Sequence, residues 1–356
     1  MALQLLRRGP SNFPYAVARV AAKRAKLLDD LDYAKALQMD VPEITLFIQE
    51  SAYKAEVDEL STKFSGLDLL EAALTVNEER TYESIRSMVG GEAGALIALF
   101  LDRYHVADLK TLLRGKASGA TRAELLREMV LENQATYDLF APLLGDDVKS
   151  VTDVTTALAN QGGQAKAWAA TLQKVPAGSP LSRYEDALDK AYFHSLLTGL
   201  EASGAKGVTV VLEFARREVD NRNILNAARW VAANETGDFT PFIIPGGRSL
   251  SVADLLTLSR SKSLAGFAEA LGATKLKGLQ EGVEAAAKSG RLGPFQAAVW
   301  RNHLAALDRL GHTNPLSLVP ILMFLVRKHR EVTTLRAIAR GKAAGLSTER
   351  LKELIV

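Results

Sequence analysis

The sequence predicts an all-α protein made of three similar helical domains, and three observations support this. The signature HVADLKTLLRGKASG at residues 105–119 recurs as EVTTLRAIARGKAAG at residues 331–345, with seven of fifteen positions identical. Residues that favour helices are plentiful, whereas aromatic residues make up only 6% of the chain. Apolar residues also recur at helical rather than alternating spacing.

A third, weaker copy of the signature, DNRNILNAARW, lies between the other two at residues 220–230. In all three copies an arginine follows an apolar residue by five places, which sets Arg114, Arg229 and Arg340 in register at intervals of 115 and 111 residues. Units of this length cover most of the chain, so the repeat describes whole domains. We therefore expect a tail at residues 1–13 and helical repeats at 14–120, 121–236 and 237–356.

The first repeat should contain several helices and end in a long one. Residues 15–38 have helical spacing, and Pro42 permits a new helix start. The segment from Gly91 predicts one long helix that ends near Gly115 or Gly119. Arg114 in its last turn complements the helix dipole.

The second and third repeats follow the same plan. Residues 174–182 predict a loop and residues 184–200 a helix. The β-branched run at 208–211 joins a helical pattern without a turn residue, so we assign it to the start of a buried helix. In the third repeat a turn at 245–247 precedes a helix that Ser249 or Ser251 should cap.

The residues that would mark common catalytic and metal sites are missing or scattered. The chain has no cysteine, which excludes disulfides and thiolate sites and fits a reducing compartment. Neither a phosphate-binding loop nor a dinucleotide-binding glycine pattern occurs. The five histidines lack metal-ligand spacing, and no carboxylate pair suggests acid–base catalysis. We therefore expect no catalytic residue, cofactor or metal, although an unrecognised enzyme stays possible in principle.

Charge and hydropathy limit the possible partners. A formal charge of +3 is too small an excess to indicate nucleic-acid binding. The first residues lack the features of a cleaved signal peptide, so we expect none. The longest apolar run, residues 315–326, contains two prolines and falls short of the roughly twenty residues that a membrane-spanning helix needs. We expect no membrane span.

Two groups of basic residues are candidates for contact with a partner. The cluster ARVAAKRAK at residues 18–26, which includes Arg19 and Lys23, either forms a solvated helix face or contacts an acidic partner. The signature arginines Arg114, Arg229 and Arg340 either pair with acidic neighbours and cap their helices, or surround an axis and meet a partner.

Several segments resemble the C subunit of the archaeal and bacterial V-type ATP synthases, the counterpart of the d subunit of the eukaryotic vacuolar proton pump. They are YAVAR at 15–19, YEDALDKAYFHSLL at 184–197, FIIPGGRSL at 242–250 and the closing run at 314–345. The family favours Asp and Asn at two signature positions. Those positions hold Asp220 and Asn223 in the second signature, but His105 with Asp108 and Glu331 with Thr334 in the others.

The resemblance implies three helical domains in a funnel with pseudo-three-fold symmetry. It implies a non-catalytic rotor part, present in a single copy, that sits on the membrane proteolipid ring and receives the central stalk at the cytoplasmic face. The alternatives are a helical-repeat scaffold for a protein partner and a helical nucleic-acid binder. The repeat length argues against the scaffold, because solenoid repeats span about 20–50 residues.

Overall fold

The computed structural model describes residues 13–131, 133–204 and 207–354, and in these ranges it contains helices and no β-strand. The predicted all-α class is confirmed. The helices are α1 (Phe13–Arg24), α2 (Asp30–Ala36), α3 (Val41–Gln49), α4 (Lys54–Leu60), α5 (Gly66–Met88), α6 (Gly91–Ser118), α7 (Arg122–Glu128), α8 (Gln134–Phe140), α9 (Val151–Ala159), α10 (Gly163–Leu172), α11 (Leu181–Ala202), α12 (Val208–Ala232), α13 (Val252–Ser259), α14 (Leu264–Gly272), α15 (Gln280–Ser289), α16 (Gly293–Thr313), α17 (Val319–Ala343) and α18 (Thr348–Leu354). Across the described ranges, no helix combines the length and the hydropathy needed to cross a bilayer.

The chain divides into two compact units. Of the described residues, those within 13–192 and 324–351 form the larger unit, and those within 193–323 and 352–354 form the smaller unit. The borders fall inside α11, α17 and α18 rather than at residues 120 and 236. The predicted division into three repeats is a different partition of the chain and stays a prediction.

The order of helices nevertheless repeats along the chain. Each predicted repeat has two short helices, α3–α4, α9–α10 or α13–α14, followed by two long ones, α5–α6, α11–α12 or α16–α17. The third repeat carries α15 in addition. The first short helix of each set begins with a capping box, formed by Asp40 and Glu43, Ser150 and Asp153, or Ser251 and Asp254. Ser251, rather than Ser249, is therefore the cap of α13.

The repeated signature ends its helix with the same C-terminal cap in all three copies. Five residues after each signature arginine the backbone is left-handed, at Gly119 (φ 76°), Asn234 (φ 53°) and Gly345 (φ 71°). The next N–H then donates to the carbonyl five residues back: Ala120 to Gly115 at 2.8 Å, Glu235 to Trp230 at 3.1 Å and Leu346 to Gly341 at 2.9 Å. These are the bonds of a Schellman cap. The predicted end of the first long helix near Gly119 is thus confirmed, and the predicted helical start at residue 208 is confirmed as well.

In two of the signatures, the glycine after the arginine makes room for the next helix. Gly115 lies against Leu125 of α7, and Gly341 against Leu351 of α18. Both leucines are buried. A Cβ atom at either glycine would overlap a leucine methyl group. Glycine, which has no Cβ atom, is therefore the residue that fits at both positions.

Replacing Gly115 with alanine should therefore destabilise the larger unit. Overpacking of this kind costs about 1–3 kcal/mol, and we expect a lower Tm by scanning calorimetry. Gly278→Ala is the matched control, because a Cβ atom there meets nothing within 4 Å. Equal Tm values for the two variants would contradict the packing role of Gly115.

Candidate functional site

Buried carboxylates on the signature helices anchor three loops. Asp108 of α6 accepts the N–H of Val130 at 2.9 Å, and Glu331 of α17 accepts that of Leu28 at 2.6 Å. Asp220 of α12 accepts three N–H groups, from Arg248, Ser249 and Leu250, at 3.1, 2.7 and 3.3 Å. All three carboxylates are at most 3% exposed. A buried carboxylate needs such donors, so each pairing ties a loop to a helix.

These loops share a place in the repeat. Leu28 precedes α2, Val130 precedes α8 and Leu250 precedes α13, so each loop opens one of the predicted repeats. The first signature helix anchors the opening of the second repeat, and the second helix anchors that of the third. The third signature helix, α17, anchors the opening of the first repeat, which makes the pattern cyclic along the chain.

Two side chains of α12 hold the loop at residues 244–250. Asn223 donates to the carbonyl of Ile244 at 2.8 Å and accepts its N–H at the same distance. Burial raises the pKa of Asp220, and the three N–H donors partly offset this. Gly247 lies against the Asp220 carboxylate, where a Cβ atom would not fit. The predicted turn at 245–247 is therefore fixed by two side chains of the preceding signature.

Glu331 is also the centre of a buried ionic cluster in the larger unit. Its Oε1 accepts the Tyr53 hydroxyl at 2.6 Å and Lys328 Nζ at 2.9 Å. Lys328 Nζ lies 3.9 Å from the centroid of the Tyr53 ring. Burial, followed by the charge of Glu331, raises the pKa of Tyr53, which keeps the phenol protonated as a donor. Every oxygen of Glu331 thus has a donor.

A cavity of about 410 Å³ opens beside this cluster, within the larger unit. Its wall comes from α1 and the turn after it, the residue before Tyr53, α5 and α17. The residues of the wall are Arg19, Ala22, Lys23, Lys26, Leu27, Ala52, Asn77, Thr81, Phe324 and Lys328. We call it the basic cleft, because four of these side chains are cationic.

The predicted contact residues of the basic cluster at 18–26 therefore share one site. Arg19 is exposed, and its Nη1 donates to the Tyr15 hydroxyl at 2.8 Å. Lys23 is half-buried, and burial followed by repulsion from Arg19, Lys328 and Lys26 lowers its pKa. The predicted role of Arg19 and Lys23 in partner contact stays a prediction.

The signature arginines have different neighbours. Arg114 donates two hydrogen bonds of 2.6 Å to Glu185, which raise its pKa. Burial alone would lower the pKa of Arg340, but its hydrogen bonds to Glu71 and Glu128 raise it. Arg229 is exposed and donates to Asn226 at 3.4 Å. Arg114 and Arg340 thus pair with acidic side chains of their own unit. The prediction that the three arginines meet a partner is not tested by these contacts.

Sequence reasoning missed the anchoring carboxylates and Lys328. The available signal was an acidic residue in each signature, together with a lysine three places before Glu331 in the third one. The donors to Glu331 lie up to 303 residues away in the chain, at Leu28, so no local pattern could supply them.

Removing the Glu331 carboxylate should strongly destabilise the larger unit. Glu331→Ala leaves Lys328 buried without its counter-charge, which costs about 3–5 kcal/mol. A lower Tm by scanning calorimetry measures this, and Lys328→Met combined with Glu331→Leu should recover part of the loss. Glu59→Ala is the control, since its exposed pair with Arg80 contributes about 0–1 kcal/mol. An effect no larger than that of Glu59→Ala would refute the role of the cluster.

Asp220→Ala should release the loop at 244–250, because three N–H groups lose their acceptor. The measurement is limited proteolysis with chymotrypsin, followed by mass spectrometry of the fragments. We expect faster cleavage near Phe242 and Leu250 than in the unsubstituted protein, with Asp220→Asn between the two because it keeps one acceptor oxygen. Unchanged cleavage in Asp220→Ala would show that the loop is held by other contacts.

Comparison with known proteins gives a consistent result over the whole chain. The family described as "ATP synthase (C/AC39) subunit" matches residues 16–354. The chain is similar to the C subunit of the A-type ATP synthase of Methanosarcina barkeri, with 34% identity over 98% of this chain and 94% of the relative. It is also similar to the C subunits of the A-type ATP synthases of Haloferax volcanii (32% identity, 98% and 99% coverage) and Halobacterium salinarum (30% identity, 98% of both chains).

The match agrees with the resemblance seen in the segments at 15–19, 184–197, 242–250 and 314–345. It extends across both compact units and all three signatures. The chain belongs to the C/AC39 family of ATP synthase subunits.

Proposed function

We propose that this chain is a non-catalytic rotor subunit of an ATP synthase, a socket that couples the central stalk to the membrane proteolipid ring during ion transport. It would be present in a single copy, at the cytoplasmic face of the membrane, and peripheral to the bilayer through the ring. The family supports the assignment to an ATP synthase. The observation that supports the socket is the cyclic anchoring by Asp108, Asp220 and Glu331.

Cyclic anchoring suits a socket because three equivalent elements can close around an axis. Each signature helix holds the start of the next predicted repeat, and α17 holds the start of the first. An open array would leave the loop of one terminal repeat without such an anchor. The pattern therefore favours a closed set of three, and a funnel with pseudo-three-fold symmetry is the form that we propose.

A coupling element must also resist twisting, and the anchors contribute to this. Buried groups with fully satisfied hydrogen bonds have few alternative arrangements, since breaking any bond leaves a polar atom without a partner in a region of low dielectric constant. Glu331, with donors from Leu28, Tyr53 and Lys328, ties three segments of the larger unit in this way.

The five predicted contact residues would serve as points of attachment in this proposal. Arg19 and Lys23 line the basic cleft. Arg229 is exposed on α12. Arg114 and Arg340 each bind carboxylates of the larger unit, so a partner would have to share or displace those pairs.

The assignment is tested by affinity purification of the tagged chain from gently solubilised membranes of its source. We expect stalk and proteolipid-ring proteins to co-purify, with one copy of this chain per complex by quantitative mass spectrometry. Removing the chain should leave ATP hydrolysis by the catalytic head but abolish ATP-driven ion transport in reconstituted vesicles, and adding it back should restore transport. Recovery of the chain without stalk and ring proteins, or coupled transport without the chain, would refute the proposal.

A further inference from the structure

The basic cleft brings together four cationic side chains, of which Lys328 is paired with Glu331. Arg19, Lys23, Lys26 and Lys328 all line it. The charged groups that act on Lys23 are the other three cations. Their mutual repulsion is a cost to the folded state that an anion in the cleft would remove.

Two carboxylates that bond to residues lining the cleft are already hydrogen-bonded. Glu331 binds Leu28, Tyr53 and Lys328. Glu56 accepts Asn77 Nδ2 at 2.8 Å and Arg80 Nη1 at 3.0 Å. Lys328 is paired with Glu331, whereas within the described residues no ion pair joins Arg19, Lys23 or Lys26 to a carboxylate.

The size and the remaining wall residues suit a small ligand. A volume of about 410 Å³ lies within the range of about 300–1,000 Å³ that is usual for small-molecule sites. Thr81 adds a hydroxyl group to the wall, and Leu27 and Phe324 add an apolar side. The Asn77 amide is held in place by Ala52 and Glu56, to which its Nδ2 donates. Lysine is a common phosphate-binding residue that acts as a point charge.

We propose that the basic cleft binds a compact phosphate-bearing anion, held by Arg19, Lys23 and Lys26 against the α5 wall. Two sources have this chemistry: a soluble phosphate compound such as pyrophosphate, and the headgroup of an anionic phospholipid. The inference does not rest on the rotor proposal, because it concerns the isolated chain.

The first test is calorimetric titration of the full chain with pyrophosphate. The cleft variant is Lys23→Gln with Lys26→Gln. The control is Lys166→Gln with Lys262→Gln, which makes the same change of charge at exposed lysines outside the cleft. Loss of charge-assisted hydrogen bonds should weaken binding at least about tenfold in the cleft variant, and the control should leave it unchanged. The substituted lysines are exposed or half-buried, and unchanged circular dichroism and Tm would verify that the variants fold.

The second test separates the two sources. The chain is floated with phosphatidylcholine vesicles, with and without phosphatidylglycerol, and pyrophosphate is added as a competitor. Retention on the anionic vesicles that is lost in the cleft variant and displaced by pyrophosphate supports a lipid headgroup. Pyrophosphate binding without retention supports a soluble phosphate compound. The proposal is overturned if the unsubstituted chain does not bind pyrophosphate, or if the cleft and control variants bind it equally.

Discussion

The fold depends on a simple constraint: a carboxylate buried in a helical core must find donors, and here the donors are backbone N–H groups of loops. Asp220 and Glu331 meet this requirement at both carboxylate oxygens, and Asp108 meets it at Oδ1. The same bonds hold the backbone just before the N-cap of the next helix, at Asp29, Asn133 and Ser251. Because an unsatisfied buried charge is far more costly than any surface contact, the three carboxylates fix the loops more firmly than the exposed pairs do.

Features set by neighbouring residues could be predicted from the sequence. The sequence predicts the long helix from Gly91 because basic residues and Gly115 or Gly119 mark its end, and the structure ends it at Gly119. It also predicts Ser249 or Ser251 as the cap of α13, and the cap is Ser251. The start of α12 was predicted because no turn residue interrupts the β-branched run. In each case the determining interactions span only a few residues, so they are visible in the sequence itself.

The candidate site was predicted only in part, for a related reason. The basic cluster at 18–26 is local, and the structure places Arg19 and Lys23 in one cleft. The other residues that line the cleft, on α5 and α17, are distant in sequence from the basic cluster. The acidic residues that bind Arg114 and Arg340 are also distant from those arginines; they are Glu185, Glu71 and Glu128. The repeat established that the arginines are equivalent in position. It could not establish their neighbours, because the first and third signatures recruit acidic residues from different helices.

The bond between Glu331 and Leu28 joins positions 303 residues apart, and it has a consequence for synthesis of the protein. The larger unit needs α17, which leaves the ribosome after nearly all the other helices. Until then Tyr104, whose hydroxyl donates to the carbonyl of Leu325, and Glu78, which binds His329, lack their final partners. Domains whose contacts are distant in sequence fold slowly, and they expose apolar surface until those contacts form. The nascent chain must therefore remain protected from aggregation until α17 has emerged, and loss of α17 would remove a wall against which the first helices pack.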